Sequence, residues 1–193
     1  MQPCLYKSSN SVPDSRPPLD RLSRTRRVLS KVIKRNIIKL MAEKKFIPKP
    51  GQVDFTNVRW CPVLNCVVMY EGKILLVQRN KNMRLYPGYW NGISGFLDDH
   101  KSLEQKVCEE LREELGISKK HILSIQLAKI LNQNAPKYKK TWIVHPVLVK
   151  VDTDKVRLDW EAQGYKWVKP SEAKKMDLMP GFDETLKEAL KLR

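Results

Sequence analysis

Residues Gly95–Ile117 read GFLDDHKSLEQKVCEELREELGI and combine a helix start, an apolar stripe and an acidic face. Ser102 with Gln105 three residues on is the capping-box pattern of a helix N-terminus. Leu103, Val107, Leu111 and Leu115 recur every fourth residue, with Cys108 beside them, and Gly116 is the expected stop. At about 100° per residue, Glu110, Glu113 and Glu114 share one face that flanks the stripe. Carboxylates at i, i+3 and i+4 repel one another and mildly destabilise a helix. A hard divalent cation with oxygen ligands turns that repulsion into coordination. Simple solvation is the plainer account of a lone EELREEL run, and it is the frame around the run that weighs against it.

That frame resembles the Nudix box, G-x5-E-x7-R-E-U-x-E-E-x-G-U with U an apolar residue. Gly95, Glu110, Leu111, Glu113, Glu114, Gly116 and Ile117 fall in register without a gap. Two positions depart: Lys101 stands where the pattern has Glu, and Glu109 where it has Arg. The opposite signs are kept with their order exchanged, so Lys101 and Glu109 are expected to interact as a structural pair across the loop–helix junction. The resemblance is close over the box and looser over residues 58 to 190.

The resemblance implies an α/β fold, the Nudix-type α/β/α sandwich with a mixed β-sheet. It also implies a metal-dependent hydrolase that cleaves the diphosphate bond of a nucleoside diphosphate linked to another moiety. Mg²⁺ or Mn²⁺ would be held by Glu110, Glu113, Glu114 and the backbone carbonyl of Gly95. A cation there removes the repulsion between carboxylates and diphosphate and lowers the pKa of a bound water. Catalysis is expected of Glu110 and Glu113. A general base outside the box is common in the family, and Asp159 and Glu161 in the stretch LDWEAQ are nearest, Glu161 being the residue chosen.

Arg79, Arg84, Tyr86, Tyr89 and Trp90 surround the loop before the box. A basic-aromatic cluster suits phosphate binding and base stacking, so Arg79, Arg84, Tyr89 and Trp90 form the expected substrate-binding set. Tyr89 and Trp90 at the edge of the core is the competing reading. Trp160 and Trp167 are expected to pack rather than bind. Two other functions stay open. One is a Nudix-fold nucleotide- or RNA-binding regulatory protein that has lost efficient catalysis. The other is a prenyl diphosphate isomerase, which would need a cysteine and a glutamate converging on an alkene.

Lys and Arg outnumber Asp and Glu by 37 to 21, a net charge of +16, which suits a polyanionic partner: a nucleotide, a nucleic acid or an anionic surface. Residues 1–45 hold 12 basic against 3 acidic residues, a net +9. Their first part is Ser/Pro-rich and reads as disordered. From Asp20 a basic amphipathic helix is expected, with Leu22, Leu29, Ile33 and Ile37 on its apolar side. It fits a transit peptide, a membrane- or RNA-covering helix, or a stretch upstream of a natural start at Met41. Residues 46–193 are expected to form the Nudix domain. No run approaches a membrane span, and cytoplasm is the default location.

Strands are expected at 63–70 and 74–79 around a Glu71–Gly72 turn, then at 90–95, 122–132, 141–151 and 161–168. Short helices are expected at 171–176 and 183–192. Cys4, Cys61, Cys66 and Cys108 show neither metal-ligand nor disulfide spacing, and His145 within an apolar strand reads as a satisfied histidine.

Overall fold

The computed structural model describes residues 47–193. The expectations for residues 1–45 lie outside the described residues. Eight strands form one mixed sheet: β1 (Trp60–Tyr70), β2 (Lys73–Arg79), β3 (Trp90–Asn91), β4 (Ile93–Phe96), β5 (Ile122–Leu127), β6 (Leu131–Ala135), β7 (Lys140–Val151) and β8 (Ala162–Val168). The helices are α1 (Leu103–Leu115), α2 (Pro170–Ala173) and α3 (Phe182–Leu190).

β1 is the axis. It runs parallel to β7 over its whole length, from Trp60–Thr141 to Met69–Lys150. On its other side it pairs antiparallel with β4 over Val63–Cys66, then with β2 at Met69 and Tyr70. β2 continues away to pair with β3 and β8.

Both faces of the sheet are covered, so β1 and β7 are apolar on both sides. Leu64, Cys66, Val68, Val147 and Val149 pack against Val107, Leu111 and Leu115 of α1. Val67, Met69 and Leu148 pack against Phe182, Leu186 and Ala189 of α3. This is an α/β/α sandwich. A third cluster, Cys61, Ala135, Trp142 and Val144, joins Phe96, Tyr86 and Phe55 at one end of the sheet.

Several expectations differ. The strand foreseen over 90–95 is two, β3 pairing with β2 and β4 with β1. The strand foreseen over 122–132 is two, β5 and β6, both antiparallel to β7. Leu127 stands opposite Val147 and Leu131 opposite Val144, so one extra residue is accommodated opposite Pro146. Proline has no N–H for the ladder, and a bulge is how a strand passes it. The helix foreseen over 171–176 is the single turn α2, whose N-terminus is at Lys169 rather than Ser171. Trp160 does not pack: the residue is 71% exposed, on the turn before β8, whereas Trp167 meets Tyr70 edge-on.

Candidate active site

The site is assembled where β4 runs into α1. Ser102 Oγ accepts from the Gln105 N–H at 3.2 Å, and Gln105 Oε1 accepts from the Ser102 N–H at 2.8 Å. This reciprocal cap fixes the first turn. Gly116 ends the helix at φ 68°, a left-handed backbone that glycine adopts without strain. The apolar stripe locks the helix rotation, and that rotation aims the carboxylates.

Gly95 pairs with Leu64 in the sheet and turns its bare Cα toward α1. A Cβ there would overlap the Glu110 carboxylate, so glycine is what lets that carboxylate lie against the strand. Glu114 sits one turn further on and is 7% exposed. Glu113 is mostly exposed, with Arg112 Nη2 3.4 Å from its Oε1.

Burial pushes the Glu110 carboxyl up to about 7, against the pull of Lys106 and helped by Glu113, Glu109 and Glu161. Burial raises Glu114 well above the usual carboxylate range, and Glu161, Glu110 and Asp159 add to it. Burial also raises Glu161, with Arg79 opposing and Asp159 reinforcing. Glu161 comes from outside the box. β2–β8 pairing sets Ala162 opposite Arg79, and the Asn80 N–H donates to the Glu161 carbonyl at 2.7 Å. Asp159 is held in the same turn, its Oδ1 accepting from the Glu161 N–H at 2.9 Å.

The two residues that depart from the box pattern touch. Lys101 Nζ is 2.9 Å from both Glu109 carboxylate oxygens and 2.8 Å from Asp99 Oδ2. Its hydrogen bond pulls Asp99 down to about 2 and holds Glu109 below its ordinary value. A second ammonium, Lys106, is buried among Asp98, Asp99, Glu109 and Glu110.

Most of these groups, though not Glu114 or Asp159, border a cleft of about 800 Å³. Glu110, Glu113, Glu161, Glu109, Lys101, Lys106 and Gly95 line it, together with Arg79 and Arg84. Its apolar wall comes from Phe96, Trp142, Tyr86, Val63 and Val144. Phe96 and Trp142 meet edge-on at 6.1 Å, and Trp142 Nε1 donates to the Tyr86 hydroxyl at 2.9 Å. Asn65 also borders the cleft; its Nδ2 donates to Asn91 Oδ1, while its own Oδ1 is buried without a partner.

Tyr89 and Trp90 do not line this cleft. Trp90 packs into the cluster around Phe182 on the opposite face of the sheet from α1, with the Lys166 ammonium 5.3 Å from its ring centre. Tyr89 gives its carbonyl to the Arg79 N–H. None of Cys61, Cys66 and Cys108 borders the cleft, and Cys66 is fully buried beneath α1. His145 Nδ1 is satisfied by the carbonyls of Val63 and Ile143.

Among the described residues no three side chains of metal-binding type converge closely enough to chelate an ion as they stand. The chemistry of the donor set nevertheless fits a hard cation. Burial favours the protonated forms of Glu110, Glu114 and Glu161, and Glu161 adds to the effect on both box glutamates, which is the condition a divalent ion with oxygen ligands relieves.

The model of the NUDIX domain matches residues 59–189. The chain belongs to the Nudix family. Three solved structures share its fold. The MutT protein from Methanosarcina mazei Go1 is 21% identical with a TM-score of 0.58, over 70% of this chain and 96% of that one. The NUDIX domain of Shewanella oneidensis NrtR, complexed with ADP ribose, is 18% identical with a TM-score of 0.58, over 80% and 96%. A C. elegans Ap4A hydrolase is 22% identical with a TM-score of 0.54, over 68% and 96%. No curated protein matches the chain significantly.

Reading the Nudix box alone missed Lys106, although its place four residues before Glu110 puts it on the same helical face. It also missed Phe96 and Trp142. A strict period of two along β7 sets Trp142 and Val144 on one side, and that signal was present in the sequence.

Proposed function

We propose that this Nudix protein is a metal-dependent hydrolase that cleaves the diphosphate bond of a nucleoside diphosphate linked to a second group. The observation that carries the reading is the shared cleft. Box carboxylates, Glu161 and two arginines border the same space as an aromatic wall, which matches a ligand with a dense anionic centre and a flat apolar end.

Glu110, Glu113, Glu114 and the Gly95 carbonyl would hold Mg²⁺ or Mn²⁺, which when bound neutralises phosphate charge and lowers the pKa of water. Glu161, raised toward neutrality by burial, suits a general base that accepts the proton of the attacking water. Arg79 and Arg84 face the remaining phosphate charge. Tyr86, Phe96 and Trp142 take the stacking role first given to Tyr89 and Trp90. A cytoplasmic location belongs to the same proposal.

A binding-only protein is the second reading, favoured by the exchanged charges at 101 and 109 and by carboxylates that do not converge. The isomerase alternative wants a thiol in the cleft, and none of the three described cysteines borders it. The test is a panel of nucleoside diphosphate derivatives with Mg²⁺ or Mn²⁺, read by released monophosphate, with Glu110→Gln as control. Turnover in the wild type and its near-complete loss in the variant are expected. Binding of a derivative without turnover by either protein would establish the second reading.

A further inference from the structure

The arginine that the Nudix box places before its first metal-side glutamate is absent at 109, yet the site has a buried cation. Lys106 Nζ lies 3.3 Å from Glu109, 3.4 Å from Asp98, 3.6 Å from Asp99 and 3.7 Å from Glu110. Its side chain is 11% exposed, against 43% for Lys101. Four carboxylates surround one ammonium, and two of them, Asp98 and Asp99, belong to the loop between β4 and α1. Asp98 is itself buried, and its Oδ2 accepts from Gln52 Nε2 at 2.6 Å.

We infer that Lys106 is a positioning residue that does the work of the missing box arginine, tying Glu110 and the start of α1 to the β4–α1 loop. Three arguments support it. Lys106 and Glu110 are one helical turn apart, so the ammonium acts on the carboxylate that lies against Gly95. Lys106 Nζ has carboxylate oxygens of both the loop and the helix within 3.7 Å, so one side chain bridges the two elements. Lys101 sits at the rim with Asp99 and Glu109 and reaches neither Asp98 nor Glu110 as an ion pair. A lysine is a point charge with three donors, so unlike an arginine fork it can serve several carboxylates at once.

The exchange at 101 and 109 then has a physical reason. An arginine at 109 would crowd a second cation against Lys106. A glutamate there gives both lysines a partner.

The inference rests on the hydrolase reading, and its test is metal binding as well as turnover. Mn²⁺ affinity is measured by the loss of the free-ion electron paramagnetic resonance signal on titration, alongside kcat and KM. Lys106→Met is expected to weaken Mn²⁺ binding about 10–100-fold, as loss of a group that orients a metal ligand does. Lys106→Arg should recover most of it. Lys101→Met should cost at most about fivefold, in keeping with an exposed pair. The decisive background is Lys101→Glu with Glu109→Arg, which rebuilds the family's arrangement: there, Lys106→Met should cost no more than about fivefold. This arm also covers the case in which Lys106→Met alone fails to fold. Wild-type Mn²⁺ affinity in Lys106→Met, or an equal loss in Lys101→Met, or an undiminished loss in the rebuilt background, overturns the inference while leaving the hydrolase reading intact. A wild type that binds no Mn²⁺ overturns both.

Discussion

Glu110 and Gly95 are fitted to each other, and each explains the other. The carboxylate can lie on the strand only because residue 95 has no Cβ. Gly95→Ala is therefore expected to displace Glu110 by about an ångström and lower kcat/KM by about 100-fold, with a stability loss of about 1–3 kcal/mol from overpacking. A rate within a few-fold of wild type would show that Glu110 has another place to go. Glu114 leads to a different expectation, because it is more deeply buried. Glu114→Gln removes a carboxylate that the fold tolerates poorly when ionised. Turnover should vanish while metal-free protein at pH 8 becomes more stable, as followed by urea unfolding in EDTA. Box glutamates stood out as a group only within the frame of the Nudix box, because their spacing alone reads as a solvated face. Their unequal burial was not, because period and register place a side chain on a face without saying how deep that face lies.

At the scale of elements, α1 is the part that the sequence describes most completely. Its cap, its stripe and its stop are each visible as residue types at fixed offsets, and all three occur where expected. Ser102→Ala should cost about 1 kcal/mol by urea denaturation. It should also raise the Mg²⁺ concentration needed for half-maximal rate, since a frayed first turn loosens Lys106 and Glu109. Stability loss without any change in Mg²⁺ dependence would separate the cap from the site. The strands were less legible. Their existence follows from β-branched runs, but the split between β5 and β6 depends on Pro146 in a different strand, and no local pattern in 122–135 carries that information. The same limit applies to Trp90. Its neighbours in sequence belong to the approach to the cleft, while its ring belongs to the cluster around Phe182, a contact made across about ninety residues of chain. The lining of the cleft was most legible where helix period sets the side chains on one face, and least so on the aromatic wall, which several strands and a loop assemble together.

For the whole molecule, the carboxylate cluster makes stability depend on pH and on metal in a way that can be signed in advance. Glu110 titrates near 7 in the folded chain and near 4.3 when unfolded. Glu114 and Glu161 are raised as well. A group whose folded pKa is raised contributes stability that is fully present below its unfolded pKa and is lost as pH rises through its folded pKa. Between about pH 4.5 and 7 the folded chain thus holds more protons than the unfolded one, and metal-free protein loses stability across that window. With one pKa unit worth about 1.4 kcal/mol, the shift of Glu110 alone corresponds to at most about 4 kcal/mol. Asp99 and Glu109 act in the opposite sense, but their folded values are lowered, so their contribution changes only in more acid solution. Melting temperature in EDTA should therefore fall by about 5–10 °C from pH 5 to pH 8. Saturating Mg²⁺ should flatten that slope, because a cation binds the ionised carboxylates and not their protonated forms. Glu110→Gln should also flatten it, without metal. Thermal melts in EDTA and in Mg²⁺, at matched ionic strength and at half-unit pH steps, test the set together. A melting temperature in EDTA that holds steady or climbs from pH 5 to pH 8 would mean that the buried glutamates are not the strained groups described here.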